Sequence, residues 1–190
     1  DEKSAKCWIQ MSEKIKDKMK IAIGNHDRDS SQIYKQITSN HNLTNPYYSH
    51  DFRNIHFISL STEHPFEEGS KQYEFIKNDL EKTSKNQTVD WIIVHSHKPF
   101  YSTRNDIDIA EELRDTYHPL FEKYNVDLVI SSHNQYYERT YPLTYDYETD
   151  KPDKGRIGTI YDEATDLEGI YSRTLEYNSI VQDYPNPNYN

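Results

Sequence analysis

Three apolar runs that each lead into histidine constrain the fold of this chain more than any other feature. The runs and the residues that follow them are Ile21-Ala22-Ile23 before Gly24-Asn25-His26-Asp27, Trp91-Ile92-Ile93-Val94 before His95-Ser96-His97, and Leu128-Val129-Ile130 before Ser131-Ser132-His133. Short apolar runs bounded by turn residues predict buried strands. Because ligands gather at the carboxyl ends of strands in open α/β sheets, we expect these polar residues to meet at one sheet edge.

The side chains that follow the three runs are of types that bind cations. Asn25 offers a carbonyl oxygen, and His97 and His133 offer imidazoles. Neutral imidazole combined with oxygen ligands suits Zn, Mn and Fe. Asn, His and Asp after a glycine are also ordinary turn residues, so the first motif alone would predict only a turn. The repetition at three strand ends favours a metal site.

Several motifs in order resemble those of a known family. They are Gly24-Asn25-His26-Asp27, His97-Lys98-Pro99-Phe100-Tyr101, and His133 followed by Tyr137-Glu138-Arg139-Thr140-Tyr141-Pro142. Over roughly residues 1–142 the chain resembles the calcineurin-like metallophosphoesterases, and within them the purple acid phosphatases. The resemblance implies an α/β fold that is part of a two-sheet β-sandwich flanked by helices, in an αββα arrangement.

The resemblance also implies a chemistry and a set of roles. Members of the family hydrolyse phosphate esters with a metal-activated hydroxide, using two divalent or trivalent ions such as Fe, Zn or Mn. By this resemblance Asn25, His97 and His133 match three ligands of one metal. His26 matches the residue that contacts the phosphate and assists the leaving group, and Asp27 would orient the His26 imidazole.

The chain departs from the family pattern in two places. Neither of the first two ligand blocks, Asp-x-Gly and Gly-Asp-x-x-Tyr, precedes Gly24, so we expect the chain to begin just after them. The last block, normally Gly-His-x-His, is Ser132-His133-Asn134-Gln135, which puts Gln135 at a ligand position of the second metal. This chain would then hold one metal or none, unless an upstream segment or another chain completes the site.

Two functional interpretations follow from these departures. In the first, the chain is a metal-dependent phosphoesterase seen as a fragment or a degenerate copy. In the second, it is a noncatalytic binding or surface-assembly module that keeps the fold. Residues 1–143 would form the metallophosphoesterase-like domain, and residues 144–190, rich in Tyr, Asp, Asn and Pro, an irregular extension or insertion.

Charge and composition narrow the range of partners. The 190 residues carry a formal net charge of -10, which argues against nonspecific binding to nucleic acid or to anionic membranes. No apolar run approaches the length of a membrane span. Asn42-Leu43-Thr44 and Asn86-Gln87-Thr88 match the N-glycosylation acceptor pattern, which favours an extracellular or cell-surface location. The single cysteine, Cys7, is expected to be a core thiol on a helix.

Local patterns predict the individual elements. A helix from Ser4 would carry the apolar stripe Trp8, Met11, Ile15 and Met19. Helical spacing or turn residues predict further helices at 31–39, 70–85 and 110–124, and strands at 20–23, 47–52, 55–61, 89–94, 126–131 and 138–143. His50, His56 and His118 are expected to be structural.

Overall fold

The computed structural model describes residues 2–28, 31–101 and 109–134. Its elements in chain order are α1 (Glu2–Ser12), a 3₁₀ turn (Lys16–Lys18), α2 (Asn25–Arg28), α3 (Ser31–Asn40), β1 (Tyr48–Phe52), β2 (Ile55–Ser59), α4 (Lys71–Thr83), β3 (Trp91–His95), α5 (Ala110–Lys123) and β4 (Leu128–Ile130). The predicted strand at 138–143 and the extension at 144–190 lie outside the described residues.

The described strands form one mixed sheet in the order β1-β2-β3-β4. β1 and β2 are an antiparallel hairpin whose turn residue Arg53 has φ of 58°, while β2, β3 and β4 run parallel. The parallel connections pass through helices, as βαβ units require. The α/β class is therefore confirmed, and the described sheet is one layer of the expected architecture.

The core lies between the sheet and α4. Alternate residues of a strand share a face of the sheet. On the face toward α4, Ile58 of β2 and Val94 of β3 are fully buried. Ile76 and Leu80, one turn apart on α4, are fully buried as well. Ser70 caps α4 by accepting a hydrogen bond from the backbone of Tyr73, so the helix begins where its sequence predicts.

His56 fastens three elements of this layer together. Its Nδ1 lies 2.6 Å from Asp51 Oδ1 on β1, and its Nε2 lies 2.8 Å from Asp79 Oδ2 on α4. Burial alone lowers the pKa of His56, but the hydrogen bonds and charges of Asp79 and Asp51 outweigh burial and raise it. The expectation that His56 is structural is consistent with these contacts.

Three predictions near the amino terminus are wrong. The first helix ends at Ser12, whose hydroxyl bonds back to the Ile9 carbonyl, so the apolar stripe does not continue to Met19. Met11 is 78% exposed, and Cys7 is exposed rather than in the core. Residues 20–23 form no strand, and the Ile21 carbonyl is bonded by the hydroxyls of Tyr48 and Ser59 instead of by a neighbouring backbone.

The strands expected to be buried differ in their exposure. β3 alternates, with Ile92 and Val94 buried and Trp91 54% exposed. In β4 all three side chains are exposed, because β4 is the edge strand and its two faces are left open by the rest of the described chain. Within the described ranges, every helix is too short or too polar to cross a membrane.

The chain divides into two compact units, and each is described separately. The first contains Asp1–Pro99 and Lys123–His133, which include the whole sheet. Of the described residues, the second contains 100–101, 109–122 and 134. Inside the second unit, Tyr117 and Phe121 stack with ring centroids 5.8 Å apart, and Tyr101 is hydrogen bonded to His118, so His118 is packed as expected.

We predict that the His56 bridge makes stability depend on pH. Because its pKa is raised on folding, the stabilisation is complete below the unfolded value of 6.5 and is lost as pH rises through the folded pKa. Asp79→Asn is expected to lower the free energy of unfolding at pH 6 by about 1–2 kcal/mol and to flatten its decline toward pH 9. Urea denaturation at several pH values measures both effects.

The matched control is Asp51→Asn, which alters the exposed partner of the same ring. Its side chain is 62% exposed against 17% for Asp79, so the loss is expected to be smaller. Equal stability of the parent and Asp79→Asn at pH 6 would contradict the bridge.

Candidate metal centre

The parallel ladder of β3 and β4 continues past the strands and sets the level of two histidines. After the last paired residues, Ser96 N–H donates to the Ile130 carbonyl, and Ser132 N–H donates to the His97 carbonyl. The Ser96 and Ser131 hydroxyls also lie 3.0 Å apart. His97 and His133, which directly follow Ser96 and Ser132, therefore lie at the same edge of the sheet, as the sequence predicts.

His133 has an uncommon backbone conformation. Its φ is 68°, in the left-handed region that non-glycine residues seldom adopt. The turn this creates brings the His133 ring to the His97 ring, with centroids 4.9 Å apart and the planes nearly perpendicular. Such local strain is common at functional sites, where surrounding contacts maintain it.

A short helical turn places Asn25 at the same edge. Asp27 closes this turn in the manner of a capping box: its N–H donates to the Gly24 carbonyl, and its Oδ2 accepts from Gly24 N–H, each at 3.0 Å. Asn25 is the first residue of α2 and follows Gly24 directly. Asp27 thereby fixes the direction in which Asn25 projects.

The His97 ring lies against the backbone of Gly24. A Cβ atom at position 24 would be 2.8 Å from His97 Cε1 and 2.9 Å from Nδ1. These separations are shorter than van der Waals contact, so glycine is required here by close approach. The ring consequently presents Nε2 to the cluster and keeps Nδ1 against the chain.

Three ligand-type atoms converge at this point. His97 Nε2 is 2.8 Å from Asn25 Oδ1 and 3.1 Å from His133 Nδ1. One nitrogen carries at most one proton, so His97 Nε2 cannot make full hydrogen bonds to both neighbours. A cation would accept all three lone pairs, and ligands about 2.0–2.1 Å from one ion are themselves separated by about 3 Å.

The cluster therefore fits part of one metal site. Within the described ranges there is no group of three or more His, Cys, Asp or Glu side chains suited to a metal, and this cluster has two imidazoles and an amide. Burial lowers the pKa of His97, and the His133 imidazole lowers it further, against the opposing charges of Glu63 and Asp27. A lowered pKa keeps the ring neutral and its lone pair available to a cation.

The other sequence-predicted residues are placed as follows. His26 is exposed on α2 beside Asn25. The described contacts of Asp27 are with Gly24, so its role in orienting His26 stays a prediction. His95 packs near the Tyr48 ring, 6.5 Å between centroids, and burial lowers its pKa to about 4. Gln135 lies outside the described residues.

Sequence reasoning assigned no role to the residues that follow β2. Thr62 and Glu63 lie at the same edge as His97, because β2 and β3 are parallel. Thr62 Oγ1 accepts a hydrogen bond from Lys98 N–H, and Glu63 Oε1 lies 3.8 Å from Lys98 Nζ. The sequence feature that could have singled out these two residues is their position at the end of a predicted parallel strand.

Comparisons with known proteins agree with the motifs. A model of the family described as calcineurin-like phosphoesterase matches residues 2–137. The chain belongs to this family, and the resemblance inferred from its motifs is confirmed. The site residues named above lie within the matched range. The match does not assign a role to any one of them.

Several similar proteins are named as purple acid phosphatases or acid phosphatases. The chain is 39% identical over 98 residues to "Probable inactive purple acid phosphatase 9" of Arabidopsis thaliana, covering 50% of this chain and 15% of that protein. It is 35% identical over 123 residues to "Acid phosphatase type 7" of Mus musculus, covering 54% and 27%. The chain thus spans less than a third of the length of these curated relatives.

A solved structure is also similar over part of the chain. It is a purple acid phosphatase from yellow lupin (Lupinus luteus) seeds, with 29% sequence identity and a TM-score of 0.45. The alignment covers 50% of this chain and 18% of the lupin chain.

We predict that Gly24→Ala disrupts the cluster more than it disrupts the fold. The added methyl must displace the His97 ring, which is expected to weaken Zn²⁺ binding about 10-fold or more. Gly69→Ala is the matched control. An alanine at its φ of 85° is strained in the backbone, but nothing lies within 4 Å of the new methyl. Calorimetric titration with Zn²⁺ compares them, and equal affinity in both variants would contradict the predicted geometry.

Proposed function

We propose that this chain supplies one metal-binding half of a purple acid phosphatase-type phosphoesterase that hydrolyses phosphate esters. The observation that carries the proposal is the convergence of three ligand-type atoms. His97 Nε2 lies 2.8 Å from Asn25 Oδ1 and 3.1 Å from His133 Nδ1. Membership of the calcineurin-like phosphoesterase family supports the reaction class.

The chain's own residues would hold one cation in an orientation set by the fold. Gly24 and Asp27 hold Asn25, the β3–β4 ladder holds His97 and His133, and the lowered pKa of His97 keeps the lone pair of that ring available. Zn, Mn or Fe suits this mixture of nitrogen and oxygen donors. When bound, such an ion polarises a phosphoryl oxygen and lowers the pKa of water.

His26 would act on the substrate rather than on the metal. It is adjacent to Asn25 and exposed, so its imidazole can approach a phosphate ester at the cluster. An imidazole there can donate a hydrogen bond to a phosphoryl oxygen and a proton to the departing alkoxide.

A second cation would be held more weakly. Gln135 stands where the family has imidazole, and an amide brings no charge and binds a borderline cation poorly. The carboxylates that join two cations would come from an upstream segment or another chain. With them the site would carry two ions, and without them one or none.

A noncatalytic role is the second candidate. The names of two relatives, purple acid phosphatases 9 and 1 of Arabidopsis thaliana, include "probable inactive", at 39% and 30% identity. Replacement of a ligand histidine by Gln135 is in keeping with such a change. The fold would then serve as a binding or surface-assembly module, at an extracellular or cell-surface location.

Metal binding is the first expected outcome. We expect Asp1–Asn190 to bind about one Zn²⁺ or Mn²⁺, and His97→Ala or His133→Ala to lower the affinity by about 10–100-fold. His26→Ala is the matched control and should bind as the parent does, because its ring lies outside the cluster. If all three variants bind equally, the metal is held elsewhere.

Catalysis is tested on the longest native polypeptide that contains this chain. We expect metal-dependent hydrolysis of an aryl phosphate, and a fall in kcat of about 10²–10⁴-fold for His26→Ala with unchanged metal content. Asp1–Asn190 alone should be far below about 1 per second. A metal-loaded native polypeptide without turnover would favour the noncatalytic module.

Gln135→His tests the second ion in the same native polypeptide. An imidazole should replace a weak amide ligand, so metal content is expected to rise toward two ions per chain, with higher phosphatase activity. Elemental analysis and turnover are measured before and after the change. Two tightly bound ions in the unmodified protein would contradict the weak-site prediction.

A further inference from the structure

The segment after β2 carries an acidic side chain that is almost completely removed from solvent. The side chain of Glu63 is 3% exposed, and that of Lys98, its partner at 3.8 Å, is 16% exposed. Removing charges from water is unfavourable unless good contacts offset the loss of hydration. The pair lies beside the candidate ligand His97, so its contacts bear on the position of that residue.

This segment is held rigidly by α4. The fully buried Gln72 side chain accepts from Ser61 N–H at 2.7 Å and donates to the carbonyls of Ser61 at 2.9 Å and Pro65 at 3.2 Å. These bonds fix the backbone on both sides of Thr62 and Glu63. The backbone that carries these two side chains is therefore held in place, and the side chains can restrain a neighbour.

The neighbour is the peptide that follows His97. Lys98 N–H donates to Thr62 Oγ1 at 3.2 Å, the Thr62 hydroxyl donates to Glu63 Oε1 at 3.1 Å, and the same oxygen faces Lys98 Nζ. From the other side, the Ser96 hydroxyl donates to the Lys98 carbonyl at 3.0 Å. Both backbone groups of Lys98 are thus held by side chains.

We propose that Thr62 and Glu63 are positioning residues for the candidate metal centre: they fix the Lys98 peptide and thereby the direction in which His97 presents Nε2. The inference rests on the proposed function, since it concerns the same cluster. Ligand geometry must be held within about 0.5 Å for productive binding, and partners outside the ligand set commonly supply that restraint. We call these two residues the positioning pair.

The first test separates positioning from simple stabilisation. Thr62→Val keeps the shape but removes the hydroxyl, and is expected to weaken Zn²⁺ binding about 10-fold. Thr62→Ser keeps the hydroxyl and should restore the parent affinity. Thr88→Val, at an exposed threonine of the loop before β3, is the matched control and should leave affinity unchanged.

Glu63→Gln tests the carboxylate in the same titration. It is expected to weaken Zn²⁺ binding by a similar factor, whereas Glu81→Gln, in the exposed pair with Lys85, should not. Thermal unfolding identifies variants that have simply lost the fold. If Thr62→Val and Glu63→Gln are folded and bind Zn²⁺ as the parent does, the positioning role is overturned.

A metal-free measurement keeps this inference separable from the proposed function. Long-range ¹H–¹⁵N spectra report the environment of the His97 ring nitrogens without any ion. We expect shifted or broadened His97 signals in Thr62→Val and parent-like signals in Thr62→Ser. A parent that binds no Zn²⁺ overturns the proposed function, and unchanged His97 signals in Thr62→Val overturn the positioning role.

Discussion

The candidate site depends on the alignment of parallel strand ends at one edge of the sheet. Hydrogen bonds of the β3–β4 ladder continue through Ser96 and Ser132, so that His97 and His133 leave the sheet at the same level. A slip of two residues in this register would move the histidines about 6–7 Å apart along the strands. The backbone ladder, more than any side-chain contact, therefore determines whether the imidazoles can share an ion.

Close packing then fixes which nitrogen faces the cluster. The absence of a side chain at Gly24 lets the His97 ring lie directly on the backbone. The same glycine is held through both its N–H and its carbonyl by Asp27, which orients Asn25. One turn of the chain thus restrains two of the three ligand-type residues, which explains why glycine and aspartate flank the asparagine and histidine.

Helix α4 connects the sheet to the periphery of the site. Through Asp79 it holds His56 of β2, and through Gln72 it holds the segment that begins at Ser61. Both contacts satisfy buried polar groups, which would otherwise cost about 1–3 kcal/mol each. The helix is therefore a support for the site's edge as well as one wall of the core.

Local patterns were enough to predict the α/β class and the strand ends that carry the candidate ligands, because turn chemistry and apolar periodicity are local properties. The partners that distant groups find could be seen only in the folded chain. Residues 20–23 look like a strand, yet the Ile21 carbonyl is bonded by side chains 27 and 38 residues away. Likewise, the burial of Glu63 follows from its pairing with Lys98 across the parallel strands, and no local pattern encodes that distance.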